Sequence, residues 1–141
     1  MSAKKIVVCL AALASLIGCN QQPVDSMHEV RAQCGRDARA WAALFLPELR
    51  QEKSSSGMSS HYSEHDHRCY AELWVNTGYE SSGDVFFMSY LVDVDDNRGI
   101  GELRQMLKAQ TAPTILVCSV AGRSCASGDE WNKLAKPYIH P

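Results

Sequence analysis

The sequence predicts an α+β domain: a small three-stranded antiparallel sheet with an N-terminal and a C-terminal helix on one face, stapled by two disulfides. Three observations carry that expectation. Apolar residues recur at helical spacing near the start and at the end of the chain. Three strand-like runs lie between them. Cysteines remain in even number once the first segment is set aside.

The first helix rests on Met27, Val30, Cys34, Ala38, Trp41 and Phe45, with Arg31, Arg36, Asp37 and Arg39 largely off that stripe. Trp41 and Phe45 are expected in the core. Pro47 cannot donate to the helical ladder, so the helix should end or kink near Leu46. Residues 51–60, with Ser54-Ser55-Ser56-Gly57 and Ser59-Ser60, read as a polar linker. Cys69, Ala71, Leu73 and Val75 alternate with Tyr70, Glu72, Trp74 and Asn76, the pattern of a half-buried strand. A loop with Gly78 and Gly83 leads to a second strand over 85–92, and the two form an antiparallel hairpin.

Residues 100–112 fit two patterns. Ile100, Leu103, Met106 and Leu107 suit a short helix, while alternation through 99–104 suits a continuing strand. The expectation is a helix or irregular turn from Glu102 to Ala109. After Pro113, the β-branched run 114–120 is the third strand. Ser127 and Glu130 then form a capping box, S-x-x-E, ahead of Trp131, Leu134, Ala135 and Tyr138. This closing helix is expected to kink or end early at Pro137.

The start of the chain has another character. Lys4 and Lys5 precede a short apolar run from Ile6 to Ile17, too short to cross a bilayer at about 20 residues per span. It ends in Leu16-Ile17-Gly18-Cys19. These four residues resemble the lipobox of bacterial lipoproteins. The resemblance implies cleavage before Cys19, whose thiolate takes up a diacylglyceryl group as a thioether. Two or three acyl chains, palmitate among them, would then hold the protein firmly, since one chain binds only marginally. Asn20 stands where an Asp would favour inner-membrane retention, so the implied location is the outer membrane, facing the periplasm. The expected organisation is a signal peptide over 1–18, a lipidated tether over 19–26 and a single domain over 27–141. The mature part, with its cysteine-flanked end 118–141 and its His-Tyr-Ser…Cys run, is similar to small uncharacterised proteobacterial lipoproteins, which implies no particular activity.

Removing 18 of 141 residues leaves 123, the length of one domain. Twelve basic residues then face 16 acidic ones. That balance gives no basic footprint for nucleic acid and no polybasic patch for anionic lipid, so contact with the membrane rests on the covalent lipid.

Four cysteines remain past Cys19: Cys34, Cys69, Cys118 and Cys125. In an exported chain an even number implies two disulfides, here with three connectivities open. The short turn-like run 119–124 favours Cys118–Cys125, which leaves Cys34–Cys69. In the chain-entropy model these loops contribute about 2.4 and about 3.8 kcal/mol respectively. A zinc site would want a Cys-x-x-Cys pair, and none is present.

His61, His65 and His67 have metal-ligand density, but no single regular conformation aligns all three, so the expectation is no metal and no cofactor. Asp93, Asp95 and Asn97 match the first ligands of a calcium loop. Arg98 and Arg104 stand where its turn glycine and bidentate glutamate belong. The nearest approach to a serine nucleophile elbow, 122–126, ends in Ala126. The functional expectation is a non-catalytic, lipid-anchored envelope accessory or binding module with a protein partner. The alternatives are an inhibitor or immunity protein against an envelope-acting hydrolase, using residues 51–66 as its reactive surface, and a His-based metal-binding lipoprotein.

Overall fold

The structure, a computed structural model, describes residues 24–49, 54–79, 83–108 and 111–139. Its elements run α1 (Val24–Leu49), β1 (Ser54–Ser63), β2 (Arg68–Gly78), β3 (Val85–Asp93), β4 (Arg98–Lys108), β5 (Thr111–Val120), β6 (Arg123–Ser124) and α2 (Gly128–Ile139). The class is α+β, but the sheet has six strands and not the expected three. They form an antiparallel meander in sequence order.

The unexpected strands are β1, β4 and the short β6. β1 occupies the stretch read as a polar linker. Its composition is poor in strand formers, and its order comes from its neighbour. All ten residues pair with β2, from Ser54 opposite Thr77 to Ser63 opposite Arg68. A polar strand suits that place, since β1 is the first strand in the sheet order and an edge strand must not recruit other chains. Gly57 is required there. A Cβ at that position would fall 2.3 Å from the indole of Trp74, which lies across it from β2. β4 replaces the expected helix at 102–109, with β3 on one side and β5 on the other. Two ladders outweigh the helical preference of its side chains.

The two helices lie on opposite faces of the sheet, which overturns their placement on one face. Cys34 of α1 is bonded to Cys69, while the indole nitrogen of Trp131 in α2 donates to Glu72 Oε1 at 3.3 Å. Positions 69 and 72 differ by an odd number, so they point to opposite sides of β2. β2 is therefore covered twice. Cys69, Ala71, Leu73 and Val75 are buried toward the α1 face, and Tyr70 is buried on the other.

Each helix has its own core. Trp131 and Ala135 of α2 pack with Leu91, Leu103, Cys118 and Val120. Gly101 lets the Trp131 ring rest on β4, because a Cβ there would come within 3.0 Å of the ring and 2.8 Å of the Ser119 carbonyl oxygen. On the other face Ala38 packs with Ala71 and Val92, beside Trp41 and Met58. The buried line of α1 is Cys34, Ala38 and Ala42, small residues that bring helix and sheet close. Val30 and Phe45, both members of the expected stripe, are 39% and 38% exposed.

Both prolines sit inside helices, which continue to Leu49 and Ile139. Each falls in the last turn, where a missing N–H interrupts little of the ladder. Ser127 caps α2 by accepting from the Glu130 amide at 3.2 Å, while the Glu130 carboxylate accepts from the Ala126 amide at 2.7 Å. The hairpin joining β5 to β6 turns on Ala121 and Gly122, at φ 50° and 77°, the mirror-image turn that matches strand twist. Cys118 and Cys125 flank this hairpin and are bonded to each other.

Candidate functional site

α1 packs on β1 and β2, so among the described residues no helix covers the same face of β3 and β4 beside it. A groove of about 400 Å³ runs along that boundary. Leu73 and Val92 lie beneath it, Tyr90 and Gly99 continue it across the sheet, and Trp41 and Phe45 of α1 wall it. The two aromatic rings sit 4.6 Å apart, tilted by 34°. Four residues apart on a helix, they are neighbours by construction. The indole nitrogen of Trp41 donates to Asn97 Oδ1 at 2.9 Å and closes one end. Burial pushes the Tyr90 hydroxyl above its ordinary range, and this hydroxyl accepts from Arg104 Nη2 at 3.3 Å. Arg104 is in turn paired with Glu102. The groove is thus mainly apolar, with its polar groups spent on one another at the margins, a lining suited to an apolar side chain or short segment.

The expectation that Trp41 and Phe45 belong to the core is corrected here: Trp41 is partly buried against the core of Ala38, Ala71 and Val92, Phe45 is exposed, and both wall the groove. The signal was present in the sequence. α1 carries two apolar lines, the small one at 34, 38 and 42 and the aromatic one at 41 and 45, and only the first is needed to seal the sheet.

A second, polar region lies where the connections 64–67, 94–97 and 121–122 meet. The acidic run that resembled part of a calcium loop is used for structure. Asp93 is fully buried and paired with Arg68, which also pairs with Asp96. These two carboxylates raise the Arg68 guanidinium further above its already high range. Asp93 Oδ1 accepts from the Asp96 amide at 3.3 Å, and Asp95 Oδ2 accepts from the Cys69 amide at 2.8 Å. The turn of one hairpin is therefore clamped onto the start of its neighbour. Both turns end on a left-handed residue, His67 at φ 56° and Asn97 at φ 49°.

The histidines are spread over this region. His61 is in β1 opposite Tyr70, while His65 and His67 lie in the turn, with His67 Nδ1 3.3 Å from the Tyr62 hydroxyl. Among the described residues no three His, Cys, Asp or Glu side chains are grouped to hold a metal ion. Cys34, Cys69, Cys118 and Cys125 form the pairs Cys34–Cys69 and Cys118–Cys125. Cys19 and the rest of the lipobox lie outside the described residues. No helix among the described residues is long and apolar enough to cross a membrane.

In comparisons with known proteins, no family model, curated protein or solved structure matches this chain.

Proposed function

We propose that the protein is a lipid-anchored module of the bacterial envelope, held at Cys19 and facing the periplasm, that works by binding a protein partner. The observation that carries the binding reading is the groove between α1 and the sheet, lined by Trp41, Phe45, Leu73, Tyr90 and Val92. Aromatic anchors around a concave apolar site are the usual centre of a protein interface. The anchoring reading is supported by Leu16-Ile17-Gly18-Cys19. Confinement to a surface would raise the effective concentration of the groove toward a partner in the same membrane.

For the inhibitor alternative, the reactive surface over 51–66 would be mostly strand, since residues 54–63 of that stretch are β1. Two experiments test the proposal separately. Cys19→Ser should release the protein from membrane fractions; unchanged sedimentation refutes the anchor. A photo-cross-linking residue at Leu44, which is 73% exposed beside Phe45, should trap a discrete envelope protein that Tyr90→Asp abolishes. The same residue at Asn132, on the opposite helix, should not trap it. Equal trapping from both positions refutes the groove as the contact.

A further inference from the structure

At the hairpin-turn end, on the far side of the sheet from the groove, a cleft of about 610 Å³ opens among Asp66, Arg68, Tyr70, Arg98, Gly122 and Tyr138. The rings of Tyr70 and Tyr138 meet edge to face at 5.2 Å beside it. Its charged groups divide by whether their bonding capacity is already spent. Arg68 is committed to Asp93 and Asp96. Arg98 is not. Its nearest carboxylate oxygen is Asp93 Oδ2 at 3.7 Å, beyond hydrogen-bond reach and already taken by Arg68, and its side chain is 67% exposed. A guanidinium offers five N–H donors in a planar fork suited to phosphate or carboxylate.

Asp66 supplies the opposite charge. Its Oδ2 accepts from the Tyr70 hydroxyl, and the residue is otherwise exposed. Hydrogen bonds from Ser63 and then Tyr70 hold its carboxyl below the ordinary carboxylate range, so it is ionised at neutral pH. Among the described residues no ion pair joins Asp66 to Arg98, although both line one cleft. A fixed anion and an unspent cation that do not meet leave space for a molecule that carries both complements.

We propose that this cleft binds a small zwitterion, with a primary ammonium at Asp66 and a phosphate or carboxylate at Arg98. The chemistry fits a free amine-bearing metabolite and also the ethanolamine-phosphate headgroup of a membrane lipid. The cleft touches the groove at Gly99, but Asp66 and Arg98 do not line the groove, so the site stands or falls independently of the binding function proposed above.

The test is titration of the purified protein with phosphoethanolamine, followed by NMR shifts of the Asp66, Arg98 and Tyr138 amides. Saturable binding is expected, with phosphate alone and ethanolamine alone each weaker by at least about tenfold. Arg98→Gln, a change at an exposed side chain, should weaken binding by about tenfold or more with the spectrum otherwise unchanged, and Asp66→Asn should do the same. Flotation of the Cys19→Ser protein on vesicles separates the sources. Capture by phosphatidylethanolamine but not by phosphatidylcholine, which lacks ammonium N–H groups, assigns the site to the headgroup. Saturable binding of the soluble probe without flotation assigns it to a free metabolite. No saturation below about 10 mM, or equal binding by Arg98→Gln, overturns the proposal.

Discussion

Replacing Cys34 and Cys69 together by Ala should free α1 before it unfolds the sheet. The bond closes a sequence separation of 35, against 7 for Cys118–Cys125. Loop closure then assigns it about 3.8 kcal/mol, against about 2.4 for the shorter loop. A domain of this size has about 5–15 kcal/mol in all, so the longer bridge is a large share. Among the described residues, little else of comparable strength holds α1. Its buried residues besides Cys34 are Ala38 and Ala42, whose side chains remove little apolar surface from water. The sheet and α2 keep their own core around Trp131, Leu91 and Leu103. Urea unfolding of the two paired variants, in non-reducing buffer, should show the larger loss for Cys34→Ala/Cys69→Ala. Hydrogen exchange should show protection in α1 falling toward that of a frayed element while β3 and β4 remain protected. Two results would refute this reasoning: a larger loss from Cys118→Ala/Cys125→Ala, or α1 protection that survives removal of its bridge.

Gly57→Ala should destabilise by about 1–3 kcal/mol, because the new methyl group meets the Trp74 ring; a chemical denaturation midpoint unchanged from wild type would contradict that contact. Asp93→Asn should cost about 2–3 kcal/mol by leaving Arg68 without its buried partner, whereas Asp96→Asn, at an exposed side chain, should cost less than about 1 kcal/mol. Equal losses in the same unfolding assay would mean that burial of Asp93 does not set the difference. The depressed Asp66 pKa has a definite sign. In acid the unfolded chain takes up the proton first, so the stability Asp66 contributes is complete above its ordinary pKa and is lost as pH falls through the lower folded value. Melting curves below about pH 4 should therefore fall less steeply for Asp66→Asn than for wild type.

Much of the architecture is readable residue by residue. α2 announces itself through Ser127, Glu130 and the spacing of Trp131, Leu134, Ala135 and Tyr138. β2, β3 and β5 are rich in alternating or β-branched residues. β1 is not readable in the same way, because Ser54–Ser63 has almost no intrinsic strand preference and is ordered by pairing to β2. β4 is misleading for a physical reason. Glu102, Leu103, Arg104, Gln105, Met106, Leu107 and Lys108 are all good helix formers, and only the ladders to β3 and β5 decide the matter. With six strands the sheet is wide enough for both faces to need a helix, which three strands would not have required. The groove is partly legible, since Trp41 and Phe45 mark an apolar helix face, but what covers a face is a tertiary fact. The clamp of Arg68 on Asp93 and Asp96 joins residues 25 and 28 positions apart, beyond any local pattern.

The meander has a consequence for biogenesis. The four cysteines among the described residues are joined in chain order, Cys34 with Cys69 and Cys118 with Cys125. If the chain is exported N-terminus first and Cys19 is taken up by lipid, as proposed, Cys34 and Cys69 would emerge as a couple before Cys118 and Cys125. On that proposal, oxidation as the thiols appear would yield the native bridges directly, and maturation should need an oxidase but no isomerase to unscramble it.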